Sequence, residues 1–298
     1  MSEIRAEIDG RTLKISNLDK VLYPVTGTTK GEVLDYYVRI APVLLPHVAG
    51  RAVTRIRWPH GVQGESFFEK NAPAGAPGWL TTARVPTTGS RGGSRHGDHL
   101  VFPVIDSVAA LAYLVNLASL ELHVHQWQVT DDGAPLAPDR LVIDLDPGEP
   151  AGLGECCATA LLVREKLAER DLEAFPVTSG SKGLHLYASL PGELDAEGTT
   201  ALAKEVAEEL QAEHPQEVTA TMTKARRSGK VFLDWSQNAG SKTTISPYSL
   251  RGREKPYVAT PRTWAEVEAG AEDPLEIEHC RFEEVLERVE EYGDLFGA

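Results

Sequence analysis

Two aspartates close an apolar run: Asp144 and Asp146, in LVIDLDP. In a strand, residues i and i+2 project from the same face. Both carboxylates therefore point the same way at the carboxyl end of residues 141–146. Pro147 stops the hydrogen-bonded ladder there and opens a rim to ligands. Neighbouring carboxylates repel one another, and a divalent cation relieves the repulsion. Hard oxygen ligands suit Mg2+ or Mn2+. Taken alone, the pair reads more readily as two surface acids before a turn.

Two further signals follow. Ser179-Gly180-Ser181-Lys182-Gly183 lies between two apolar runs. Its glycines let backbone N–H groups turn toward one anion, and two hydroxyls and a lysine add donors, which suits a polyphosphate. It is not a Walker A loop, because GxxxxGK[ST] is absent and no helix is expected to follow. A serine-glycine hairpin turn is an equal reading of those five residues. His185 enters the next strand beside the same anion. Asp234 ends the apolar run in KVFLDWSQN, and a charge in that place needs a partner. It completes a set of three carboxylates, enough to hold two metals about 3.5–4 Å apart for in-line phosphoryl chemistry. Lys224, Arg226, Arg227, Lys230, Arg251 and Arg253 surround it in sequence and suit phosphates.

The elements that must carry these residues alternate. Residues 141–146, 174–178, 184–189 and 230–235 read as strands, and 154–170 and 199–213 as helices. Interleaving of this kind implies an α/β layer. In the first half, Val33, Leu34, Tyr37, Ile40, Ala41 and Leu44 follow helical spacing, which predicts a helix over 30–47. A second, buried helix is expected over 107–122, capped by Asp106 or Ser107. An acidic amphipathic helix is expected within 274–296. Residues 87–99 (TTGSRGGSRHGDH) and 131–139 read as loops, the second a seam between subdomains. The expected boundaries are an amino-terminal part over 1–130, a catalytic part over 131–262 and an acidic tail over 263–298.

Composition is that of a globular chain, 42% hydrophobic and 25% charged over 298 residues. The net charge of −14 argues at first against a nucleic-acid partner. Its distribution reverses that inference. Residues 263–298 hold 12 acids against 2 arginines, and residues 219–262 hold 9 Lys/Arg against 2 acids. Screening over about 8 Å hides a distant acidic tail from a phosphate backbone. Either segment by itself also reads as a solvated face. Three cysteines without CxxC spacing argue against a disulfide framework or a zinc site. No secretory signal and no run long enough to span a bilayer is visible, so a cytoplasmic, nucleoid-associated protein is expected.

DLDPGE, FPVTSGSKGLHLY, VFLDWSQN and SKTTISPYSLRGR together resemble the polymerase domain of bacterial ligase D, in the archaeo-eukaryotic primase superfamily. LDKVLYPVTGTTKGEVLDYY, TRIRWPHGVQGESFFEK and LELHVHQW match the same family, so the resemblance runs from about Leu18 to Trp264. It implies an α/β (α+β) primase-like catalytic core of two packed subdomains. It implies that Asp144, Asp146 and Asp234 hold two Mn2+ or Mg2+ ions. It implies that Ser179, Lys182 and His185 bind the incoming triphosphate, with Arg227, Gln237, Arg251 and His123 nearby. Phe67 and Phe68 would stack on the template end. Consecutive residues of a strand face opposite ways, so both cannot enter one core. Lys20 and Lys30 would grip the 5′-phosphate across a gap.

The implied activity is templated addition of NTPs or dNTPs to a 3′-hydroxyl, with ribonucleotides favoured, at DNA gaps and breaks in non-homologous end joining. Gap filling or priming in another repair pathway is the alternative. Implied partners are DNA with a 5′-phosphorylated gap or break, Ku and a separate ATP-dependent ligase; no ligase or nuclease segment fits in 298 residues, so those activities sit on separate chains or the sequence is an excised domain. Two departures stand out. Ile56 occupies a position where relatives can carry a basic residue. The stretch 90–97, with Arg91, Arg95 and His96, is longer than in relatives and is expected to touch DNA ends. Two other classes fit less well. A DxD phosphatase would place its pair early and follow it with Gly-Thr or Thr. A non-catalytic end-binding module would not need all three carboxylates.

Overall fold

A computed structural model describes residues 3–86, 99–130 and 132–296. The positions 90–97 expected to meet DNA ends lie outside them. The chain divides into two compact units. One comprises residues 1–136, 245–258 and 281–291, the other 137–244, 259–280 and 292–298. The fold is mixed α/β.

The second unit is built on a six-stranded sheet. In spatial order its strands are Val218–Thr219, Val231–Asp234, Arg140–Pro147, Leu184–Ser189, Ala174–Thr178 and Thr260–Pro261. All neighbours are antiparallel except the first pair. Alternation sorts the two faces. Leu141, Ile143 and Leu145 enter a core with Leu184, Leu186, Ala188, Val231 and Leu233. Helices α3 (Leu153–Ala168) and α4 (Ala196–Glu213) cover that face through Cys156, Ala160, Val163, Leu167, Ala203, Val206 and Leu210. Asp144, Asp146, His185, Phe232 and Asp234, which alternate with those core residues, are thereby committed to the other face. Asn238 fixes the return after Asp234. Its Oδ1 accepts the Val142 N–H at 2.9 Å and its Nδ2 donates to the Val142 carbonyl at 2.7 Å, copying a strand partner.

The first unit begins with a hairpin, Glu3–Ile8 with Arg11–Ser16. Helix α1 (Lys30–Val48) follows, started by a capping box between Thr29 and Glu32. Strands Phe67–Glu69, Val53–Arg57 and Ser119–Val124 lie side by side, antiparallel. The helix expected over 107–122 stops early: α2 spans Val108–Asn116. Asn116 is drawn to the hairpin, accepting the Ser16 N–H and donating to the Lys14 carbonyl. Ala118 then turns left-handed at φ 61°, and alternating Leu120 and Leu122 begin a strand. Local periodicity ran on where tertiary contacts cut it. The acidic tail holds two helices, α5 (Trp264–Glu272) and α6 (Phe282–Tyr292), with a 3-10 turn at Pro274–Glu276 between them, so the helix expected within 274–296 is shorter than expected. No helix among the described residues is long and apolar enough to cross a membrane.

Candidate active site

Strand register assembles the acidic cluster. Asp144 pairs with His185 on one side and Asp234 on the other, and Asp146 pairs with Phe232. The three aspartates offer ligand oxygens that all lie within 4.8 Å of one another. His185 Nε2 is 3.2 Å from Asp144 Oδ1, and its Nδ1 is 3.4 Å from the Tyr187 hydroxyl. Asp234 is held from outside the sheet. Its Oδ1 accepts the Ser236 N–H at 3.1 Å and hydroxyl at 2.6 Å, and its Oδ2 accepts the Gln237 amide at 3.0 Å.

This concentration of charge has an electrostatic cost. The Asp146 carboxyl is raised to about 6, by loss of surrounding water and then by the Asp144 charge, with Asp234 adding to it. His185 and Arg227 oppose the rise. Asp146 keeps an exposed side chain, so the Asp144 charge is the firmer of the two leading causes. A hard divalent cation would satisfy all three carboxylates, and the donor set is purely oxygen. The residues fit such an ion.

Of the remaining expected residues of this unit, Ser179 and Lys182 lie on the turn between the Ala174–Thr178 and Leu184–Ser189 strands. The Ser179–Gly183 turn is tight: Ser179 Oγ accepts the N–H groups of Ser181 at 3.3 Å and Gly183 at 3.2 Å. Two of the donors expected for an anion are thus used inside the turn. Gly183 has to be glycine, because a Cβ there would fall 1.9 Å from the Leu145 carbonyl oxygen. Lys182 is exposed and pairs with Glu149 at 3.4 Å. Arg227 stacks its guanidinium 3.5 Å from the centre of the Phe232 ring and donates to the Met222 carbonyl at 2.7 Å.

The first unit gathers the others in three places. His123 lies on the Ser119–Val124 strand, and Arg251 on the loop over residues 245–258. That loop is pinned by three buried tyrosines. Tyr36 donates to the Tyr248 carbonyl at 2.7 Å, Tyr23 to the Arg251 carbonyl at 2.8 Å, and the Tyr37 hydroxyl accepts the Leu250 N–H at 3.0 Å. Burial keeps these phenols protonated by raising their pKa. Glycine is required at 252, where a Cβ would meet the Trp58 ring at 2.2 Å.

Phe67 and Phe68 lie on an outer strand of their sheet and are 41% and 59% exposed, so neither is a core residue. Phe68, Ile56 and Glu121 are successive cross-strand partners and share one face. Phe67 shares the opposite face with Arg55, Arg57 and Glu69. Glu69 accepts from Arg55 at 2.9 Å and Arg57 at 2.6 Å.

Lys20 and Lys30 come together, since the Lys30 N–H donates to the Lys20 carbonyl at 2.8 Å. Lys30 Nζ donates to the Ser16 carbonyl at 2.5 Å and Asn116 Oδ1 at 2.7 Å, and Lys20 Nζ donates to the Pro59 carbonyl. Burial and then the Lys20 charge lower the Lys30 ammonium to about 8.

Four polar residues around these groups were not singled out from sequence: Glu121, Ser236, Asn238 and Asn116. Only Glu121 carries a signal, a carboxylate two residues before His123 in an otherwise apolar LELHV.

A family model described as LigD, primase-polymerase domain, matches residues 29–296. The chain is 51% identical over 286 residues to the multifunctional non-homologous end joining protein LigD of Mycolicibacterium smegmatis, covering 96% of this chain and 36% of that protein. It is 31% identical to the bifunctional LigD protein of Bacillus subtilis, covering 94% of this chain and 43% of that one. The chain therefore spans well under half the length of these relatives. A solved polymerase domain from Mycobacterium tuberculosis ligase D, in complex with DNA, superposes with a TM-score of 0.87 at 48% identity. That match covers 95% of this chain and 96% of the solved one.

Proposed function

The chain belongs to the LigD primase-polymerase domain family, and from that premise we propose a template-directed nucleotidyltransferase. It extends 3′-ends and fills gaps at DNA breaks in non-homologous end joining, with ribonucleotides favoured. The observation that carries the reading is the convergence of Asp144, Asp146 and Asp234 on the face of one sheet opposite its helices, beside His185. A pair of Mg2+ or Mn2+ ions bound there supplies activation of the primer 3′-hydroxyl and neutralises charge on the triphosphate.

The chain's own residues supply position. Ser236 and Gln237 hold the Asp234 carboxylate in one orientation before any ligand arrives, and His185 does the same for Asp144. Lys182 exchanges the weak, exposed pairing with Glu149 for the triphosphate. Ser179, Arg227 and Gln237 are the further nucleotide contacts proposed on the second unit, and His123 and Arg251 are those proposed on the first unit. Phe67 and Phe68 offer exposed rings for an unpaired template base. Lys20 and Lys30 face each other as like charges, and a terminal 5′-phosphate relieves that repulsion. Ku and a separate ATP-dependent DNA ligase are the partners proposed for end joining, and the cytoplasmic nucleoid is the proposed site of action.

The test is extension of a labelled primer on a gapped duplex with a 5′-phosphate, in Mn2+, comparing NTPs with dNTPs. Templated extension, more efficient with NTPs and lost in Asp234→Ala, is expected. DNA binding without extension from either nucleotide would replace the polymerase by an end-binding module.

A further inference from the structure

Glu121 belongs to no expected ligand set, yet it is the most heavily engaged carboxylate of the first unit. It sits on the Ser119–Val124 strand between Leu120 and Leu122, both fully buried, and is itself 5% exposed. His123, two residues on, shares its face. Glu121 Oε2 is 2.8 Å from His123 Nε2. Its Oε1 accepts the Gly252 N–H at 2.9 Å and lies 3.7 Å from Arg251 Nε. Burial works against an ionised carboxylate here. The His123 hydrogen bond, the Arg251 charge and the Gly252 N–H outweigh it and bring Glu121 down to about 2.

Three consequences follow from an acid that is ionised at every working pH. It only accepts hydrogen bonds, so the His123 nitrogen facing it carries the proton. His123 is thereby fixed with Nε2–H inward, and Nδ1, which makes no hydrogen bond among the described residues, is the nitrogen left for a ligand. The second oxygen anchors the main chain immediately after Arg251 and draws the inner nitrogen of its guanidinium. Its terminal nitrogens make no hydrogen bond among the described residues and remain for other partners.

We infer that Glu121 is the positioning residue of the nucleotide-binding groups on this unit. One buried carboxylate sets the tautomer and direction of His123 with one oxygen, and the seat of Arg251 with the other. The inference rests on the proposal that His123 and Arg251 meet the incoming nucleotide. Glu121 itself touches none of it.

The experiment uses the full chain carrying Glu121→Gln. The glutamine oxygen accepts from one donor, and its NH2 faces the other with a donor of its own. The expected result is a KM for nucleoside triphosphate about tenfold higher, the loss of one charge-assisted hydrogen bond. kcat and affinity for gapped duplex without nucleotide stay near wild type. In parallel, 1H–15N spectra of the imidazoles, with His123 identified by its loss in His123→Asn, should show the Nε2–H form in the wild type and a mixture in Glu121→Gln. Glu121→Asp, which keeps the charge on a shorter arm, should recover the Nε2–H form and part of the KM. An unaltered KM with an unaltered imidazole spectrum would overturn the inference, and so would an equal loss of nucleotide affinity, DNA affinity and melting temperature. Should His123→Asn and Arg251→Ala both leave the nucleotide KM unchanged, the nucleotide-binding proposal has failed. The imidazole spectra still decide whether Glu121 orients His123.

Discussion

Two carboxylate–histidine pairs occupy sheet faces in the two units, and they are opposite in electrostatic character. In the second unit, Asp144 faces His185 at 3.2 Å, but two more aspartates crowd the same rim, and loss of water and then the Asp144 charge push Asp146 up to about 6. In the other unit, Glu121 faces His123 at 2.8 Å, and every neighbour is a donor or a cation, so its value falls to about 2. The same two residue types thus form a site that still requires positive charge and a site already satisfied. The first arrangement suits a ligand-binding centre and the second a scaffold beneath one. Local charge balance, rather than burial, separates them: the satisfied acid is the more deeply buried of the two.

The sharpest break between the two regions should come from truncation at the acidic cluster of the second unit. Asp146→Ala is expected to lower extension on the order of a thousandfold, a loss of the kind seen when a preorganised electrostatic group is removed. Its folding should be intact, because the change relieves repulsion. Primer extension with parallel urea melts checks both halves of the statement. An Asp146→Ala protein that loses activity through unfolding would erase the distinction.

Glu121→Ala should behave in the reverse order. It strands the Gly252 N–H, His123 Nε2 and Arg251 in a dry environment, at a cost of about 3 kcal/mol of folding stability. Urea denaturation measures that cost. A loss no greater than that of Asp146→Ala would mean that Glu121 is not satisfied in the sense argued here.

How much of this contrast was legible in the sequence follows from the range of the forces involved. Alternation in LVIDLDP and KVFLDW committed Asp144, Asp146 and Asp234 to faces, and the strands over 174–178 and 184–189 are found where the pattern placed them. The pairing of Asp144 with both His185 and Asp234 was not legible, because register is set by tertiary packing. The helix expected over 107–122 forms but ends early, at Asn116, for the same reason: Asn116 answers to Ser16 and Lys14, about a hundred residues away. Lys20, Lys30, Phe67 and Phe68 carried no signal strong enough to be singled out without the family resemblance. Asn238 escaped even that, since its partner is the Val142 backbone, which has no side-chain signature; Glu121 offered only its spacing from His123, while its bond to the Gly252 N–H was not legible.

A like-charge contact in the first unit extends the comparison to cations. Lys30 is lowered to about 8 by burial and by Lys20. Its ammonium is therefore complete below that value and lost as pH rises through it, well before the ordinary lysine range. Preference for a 5′-phosphorylated over a 5′-hydroxyl gap should decline by several-fold between pH 7 and about 9. Binding titrations at constant ionic strength, with both duplexes, isolate the phosphate contribution. A flat preference across that range would detach Lys30 from the phosphate.

The smallest effect concerns the crowded acid without its ions. A carboxyl whose folded value lies near 6, above an ordinary 3.8, contributes stability below pH 4 that is lost as pH rises through 6. In chelator at pH 7, Asp146→Asn should therefore melt about 1–2 °C above the wild type, and at pH 4 the two should coincide. Mn2+ should reverse the order at pH 7, because it stabilises only the protein that binds it tightly. A wild type that outlasts the variant in chelator would place a compensating cation of the chain itself beside Asp146, and the two carboxylate–histidine pairs would then be alike.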